Sequence, residues 1–194
     1  MKNKRSTKIL LLTLGAVAVI LAAGLLVMHV LGDREASAAG SADSITVEAL
    51  SIDDSKSYAK ELLECKVDDV NDTAAVAKLF DAMKLEEVTG EYTVTISAGE
   101  EAQVLSLTLT KPVAQADKET FDANMQLCAQ QMLALIPQVG EVQWNYSVLS
   151  DSAKEEAVSV SLDEAGATKE LGKNVKNYGN SAGKLQKLLE KQAS

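Results

Sequence analysis

The chain is poor in the residues most reactions need. It has one histidine, His29, and two cysteines, Cys65 and Cys128. A single histidine excludes a His-Glu-x-x-His zinc site and leaves nucleophilic catalysis without an imidazole base. No glycine-rich phosphate loop of the G-x-x-x-x-G-K type occurs, so nucleotide cradling by such a loop is excluded. Aromatics make up 4% of the residues and proline occurs twice, at Pro112 and Pro137. Basic clusters of the kind that grip phosphates are missing, and the net charge is −9, which argues against nucleic acid as a partner. The sequence therefore offers no catalytic residue, no cofactor-binding residue and no metal ligand set to nominate.

One long apolar run is present, and it organises the reading. Residues 9–31 are apolar almost throughout, with Lys2, Lys4, Arg5 and Lys8 before them and Asp33 and Glu35 after. As a helix the run spans roughly 34 Å at ~1.5 Å per residue, enough to cross a hydrocarbon core of about 30 Å. The positive flank predicts a cytoplasmic tail over 1–8, a transmembrane helix over 9–31 and the remainder outside. On that reading the tail is too short for an effector domain. Cleavage after Ala36-Ser37-Ala38 is the competing expectation, but a signal-peptide core is usually shorter, about 7–15 residues. His29, near the outer end of the run, reads as an interfacial side chain. The small residues Gly15, Ala18, Ala22, Ala23 and Gly24 suit close packing against a second membrane helix.

Beyond the run the charge is uneven. All 28 acidic residues and 15 of the 19 basic ones lie after it. Six lysines (169, 173, 176, 184, 187 and 191) fall in the last stretch, so residues 33–167 are strongly acidic. The lysines read as a solvated face of helices packed on the rest of the domain; a surface facing the membrane or an acidic partner is the sharper alternative. With both cysteines outside the membrane, a disulfide and a pair of buried thiols both remain open.

The pattern predicts an α+β domain. Residues 32–43 read as a linker. Ser44–Leu50 alternates as a strand, and the second half of 58–67 does the same. Asp72 opens an amphipathic helix over 73–84 with Val76, Leu79, Phe80 and Met83 on one face. Residues 91–97 and 103–110 read as a hairpin. A helix over 117–136 carries Phe121, Met125, Cys128, Met132 and Leu135, and Pro137 ends it. A second hairpin follows, with Val142, Trp144, Tyr146 and Val148 alternating first and Val158, Val160 and Leu162 after them. Residues 164–191 read as helical. Clean alternation predicts an antiparallel sheet with helices on one face, a two-layer domain over 44–163 followed by a helical segment, 164–194. The helix–hairpin order occurs twice, which suggests a duplicated unit.

Some of these motifs resemble a known family. Lys66, then Val70-Asn71-Asp72-Thr73-Ala74-Ala75-Val76, and later Leu133-Ala134-Leu135-Ile136 leading to Val142-Gln143-Trp144, are similar to a bacterial extracytoplasmic domain of unknown function. That domain often lies C-terminal to membrane metallopeptidases related to the beta-lactam-sensing antirepressors. The resemblance covers about 62–147. Asn71 stands where the family has glycine, and the metallopeptidase part is absent. The resemblance implies a fold and an extracytoplasmic compartment, and no activity.

Three groups of side chains bear on chemistry. Five acid pairs (Asp53-Asp54, Asp68-Asp69, Glu86-Glu87, Glu100-Glu101 and Glu155-Glu156) have the composition for general acid–base work, but they fall at turns and element ends, where charges are solvated. Asp68, Asp69, Asn71 and Asp72 form the densest oxygen cluster, yet the EF-hand spacing is missing and Asp72 is placed to cap a helix. Trp144 and Tyr146 share a strand face with valines and read as core. The expectation is a single-pass, membrane-anchored extracytoplasmic binding or sensing domain, non-enzymatic, acting by contact with a membrane or envelope protein. The alternatives are an envelope hydrolase or enzyme accessory using carboxylates, and a secreted domain.

Overall fold

Alternating side chains build one sheet with a dry face and a wet one. The computed structural model describes residues 26–29, 44–99, 102–150, 152 and 154–194. Strands β2 (Tyr92–Ala98) and β3 (Gln103–Leu109) form the expected hairpin, with Val94 opposite Leu107. Strands β5 (Val139–Leu149) and β6 (Glu155–Asp163) form the second, with Trp144 opposite Val160. Tyr92, Val94, Ile96, Leu105, Leu107, Val142, Trp144 and Tyr146 all enter one core. The opposite face carries Thr93, Thr95, Ser106, Gln143, Asn145 and Ser159, half-buried or exposed.

The sheet is mixed rather than antiparallel. β3 and β5 run parallel, with Leu107 beside Trp144. Alternation reports one-sided burial and says nothing about strand direction. Direction here follows from α4 (Lys118–Leu135), which returns across the sheet between β3 and β5, the crossover that parallel neighbours need. A two-residue strand, β4 (Val113–Ala114), pairs with Val148 and Leu149 at the far end of β5. β6 holds the other edge of β5, so β3 and β4 share one side. The duplicated helix–hairpin unit is not a symmetric repeat. The parallel join gives the two hairpins opposite starting directions while their apolar sides face the same core.

Two expected strands are something else. Residues 44–50 form a single parallel bridge, Ile45 with Val113. Their backbone is held by a side chain instead: Leu50 N–H donates to Asn124 Oδ1 at 2.9 Å, and Asn124 Nδ2 donates to the Glu48 carbonyl at 2.8 Å. The stretch 58–67 is mostly helix. Ser55 caps α1 (Lys56–Glu64) by accepting from Tyr58 N–H. The alternation of Leu63, Cys65 and Val67 is the burial of a helix end and the turn after it, where Val67 N–H donates to the Leu135 carbonyl.

Asp72 caps α2 (Thr73–Ala82) through Ala74 and Ala75 N–H, and Val76, Leu79, Phe80 and Met83 are buried as their spacing requires. The chain then turns at Lys84, whose φ of 55° is left-handed, into a short helix, α3 (Leu85–Thr89). The C-terminal residues break into α5 (Glu164–Leu171), a 3-10 helix (Val175–Asn180) and α6 (Ala182–Gln192).

These last elements belong to the same core. Leu185, Leu188 and Leu189 are fully buried with Leu62 and Ala59 of α1. They explain why α4 is buried on every side from Cys128 to Leu135. Its glutamines are satisfied by the segment that covers it. Gln130 Nε2 donates to Glu170 at 2.9 Å, Gln192 Nε2 donates to Gln130 Oε1 at 2.9 Å, and Gln131 Nε2 donates to Gln192 Oε1 at 2.8 Å. Of the six C-terminal lysines, Lys176 is not solvated: its Nζ donates to the carbonyls of Ile136 and Val139.

The expected membrane helix, its tail and the linker lie outside the described residues, except for Leu26–His29. Those four residues are extended (β1) and pair antiparallel with β2, so the backbone there is strand and not helix. No helix among the described residues is long and apolar enough to cross a membrane.

Candidate functional site

Four segments that are distant in sequence meet at a cleft. Capping by Ser55 fixes α1 so that Tyr58 and Glu61, three residues apart, face the same way. The left-handed turn at Lys84 joins α2 to α3 so that Asp81, Lys84 and Glu87 follow one another along a wall. Asn124 holds the 48–50 backbone, which places Ser51, Ile52 and Asp53 as a lip. Met83 and Ile52 with Cys128 and Gln131 of α4 complete a cavity of about 360 Å³, at the small end of the range for ligand sites.

The cleft is acidic at its rim and apolar within. Asp53, Glu61, Asp81 and Glu87 line it together with one cation, Lys84. Lys84 and Glu87 approach to 3.9 Å with both side chains about 70% exposed, a pair that neutralises little. Hydrogen bonding by Ser55, side chain first and then backbone, lowers the pKa of Asp53, keeping that carboxylate charged. Tyr58 is pushed up to about 12 by burial first, then by negative neighbours that include Asp53, Glu61 and Glu87. Its hydroxyl therefore stays protonated at neutral pH. Burial pushes the Cys128 thiol up to about 12, so it is a poor nucleophile there. The lining is suited to holding a positive group by charge and hydrogen bonds over an apolar floor.

The structure separates the acid pairs. Asp53 and Glu87, one member from each of two pairs, converge on the cleft. Asp69 accepts from Asn71 in a local turn and Asp72 is occupied as a cap. Glu155 and Glu156 are exposed at the start of β6, and Glu100-Glu101 lie outside the described residues. Among the described residues no group of three or more His, Cys, Asp or Glu is placed to hold a metal ion. Cys65 and Cys128 are both buried and free. Glu61, Asp81 and Tyr58 carry no sequence signal as a group, because helix packing alone brings them together.

Trp144 and Tyr146 are core residues, as their spacing suggests, with an added polar role. Trp144 Nε1 and Tyr146 OH both donate to Asp122 Oδ1, at 3.0 and 2.7 Å, and Lys118 donates to its other oxygen at 2.8 Å. Burial opposes ionisation of Asp122, but these three donors outweigh it and lower the pKa. The cluster fastens the start of α4 to β5. A second, shallower hollow of about 680 Å³ lies where the β2–β3 turn, Gly140 and the start of α5 meet. Glu141, Asp163 and Glu164 line it, but Asp163 caps α5 through Gly166 N–H and Glu164 accepts from Asn174 Nδ2.

Comparison of the chain with protein-family models, with curated proteins and with solved structures returned no match in any of the three.

Proposed function

We propose that this chain is a non-enzymatic binding or sensing domain, carried outside the cytoplasmic membrane by residues 9–25, the part of the apolar run that precedes β1, and that its cleft receives a cationic group. The observation that carries the reading is the convergence of Asp53, Glu61, Asp81 and Glu87 from three of the four lining segments onto one apolar-floored cavity. A primary amine on a short apolar chain suits it: the ammonium meets the carboxylates and the chain covers Met83 and Ile52. The occupant on this reading is a small amine or a lysine side chain of an envelope or membrane protein.

The test uses the full chain in lipid nanodiscs with butylamine and butanol as probes. Butylamine is expected to shift the Met83 methyl and Tyr58 ring resonances, and butanol much less. Neutralising the rim together (Asp53→Asn, Glu61→Gln, Asp81→Asn, Glu87→Gln) is expected to abolish the amine response. Equal responses to amine and alcohol, or an unchanged response in the neutralised variant, would overturn the reading.

A further inference from the structure

The outer edge of β6 is the longest open edge among the described residues. β6 pairs with β5 without a break over nine registers, Glu155–Asp163, and no other described strand pairs with it. The edge of β2 at the other side of the sheet is taken by β1. Natural edges are usually blunted by proline, bulges or an inward lysine. Here residues 157–162 (Ala-Val-Ser-Val-Ser-Leu) contain none of these and no charge. Val158 and Val160 are left only half-buried on the apolar side, while Ala157, Ser159 and Ser161 are exposed. The run of free N–H and C=O groups is roughly 30 Å long at ~3.4 Å per residue.

We infer that this edge is a docking site for an extended peptide segment of a partner protein, added to the sheet as a further strand and bearing basic residues at both ends. Main-chain hydrogen bonds along the edge supply the affinity, and alternate apolar side chains of the guest complete the cover over Val158 and Val160. Charge selects the guest. Glu155 and Glu156 outweigh the neighbouring Lys154 at one end of the edge, Asp163 stands at the other with Glu164 just beyond it at the start of α5, and the middle is neutral. The same charges disfavour a second copy: antiparallel self-pairing about Ser159 sets Glu155 against Asp163 twice, and like charges directly opposite are destabilising.

The experiment titrates the full chain in nanodiscs with a nine-residue peptide that has lysine at each end and threonine and valine alternating between. Amide shifts are expected at residues 155–163, with binding weakened at least about tenfold when the terminal lysines are replaced by glutamate. Two backbone-methylated peptides test the strand pairing without altering the protein. Methylation of one alternating set of amides is expected to abolish binding, and of the other set to leave it intact, because only one set faces the edge. Four results would sink the proposal: no binding at millimolar peptide, equal binding of both methylated peptides and the parent, shifts centred on the acidic cleft, or self-association of the chain through 155–163 without peptide.

Discussion

Gly179 sits where no other residue fits. A Cβ built on it would collide with the Ala134 carbonyl at the end of α4, and that obstacle is backbone, which does not swing aside. Its own carbonyl accepts from Lys66 Nζ at 3.1 Å. Gly179→Ala is expected to cost about 3 kcal/mol, the upper part of the range for overpacking, read as a lowered midpoint in urea unfolding. Its neighbour Tyr178 behaves in the opposite way. The hydroxyl is buried with no hydrogen-bond partner among the described residues, and an unpaired buried group costs about 1–3 kcal/mol. Tyr178→Phe is expected to leave stability unchanged or raise it by about 1 kcal/mol in the same measurement. Neither role is legible in the sequence, where both residues fall in a stretch that reads simply as helical. The contact that defines each residue comes from the end of α4 or from the absence of a neighbour.

At the scale of elements, local signals located what local physics controls. Asp72 as a cap, the face of α2, both hairpins and the end of α4 before Pro137 are set within a few residues, and the structure has them nearly where the patterns place them. The failures share a cause. Residues 44–50 alternate like a strand, but their hydrogen-bond partner is the Asn124 side chain, 74 positions away for Leu50. The C-terminal segment is helical as expected, but its lysines do not all face water: Lys176 reaches the carbonyls of Ile136 and Val139, just beyond the end of α4. Burial lowers Lys176 to about 8, with Glu164 opposing, while the unfolded chain keeps the proton to near 10.5. Between about pH 8 and pH 10 the unfolded state therefore binds more protons, and stability rises with pH from this group. Lys176→Met is expected to remove that rise, seen as a flatter dependence of the unfolding midpoint on pH than in the parent chain.

At the scale of the whole molecule, the segment after Asp163 is part of the core and not an appendage. Leu185, Leu188 and Leu189 are fully buried, and Gln192 and Glu170 satisfy the two buried glutamines of α4. A chain ending at Asp163 would expose this surface and strand those amides. It is expected to lose cooperative unfolding and to show collapsed amide dispersion in its NMR spectrum, while the intact chain unfolds in one transition. The cleft is also a property of the whole. Its four carboxylates come from three segments; Asp53 and Glu87 belong to acid pairs visible in the sequence, while Glu61 and Asp81 are not marked out by their neighbours.

The sequence by itself determined the α+β class, the position of most elements, the dry face of the four hairpin strands and the Asp72 cap that starts α2. These depend on periodicity and on bonds to residues a few positions away. Tertiary structure alone decided that β3 and β5 run parallel, that both cysteines stay free, that Lys176 leaves water, and that Asp53, Glu61, Asp81 and Glu87 line one cleft. Each of those depends on which elements pack together, and a scarcity of reactive residues constrains chemistry without fixing any such contact.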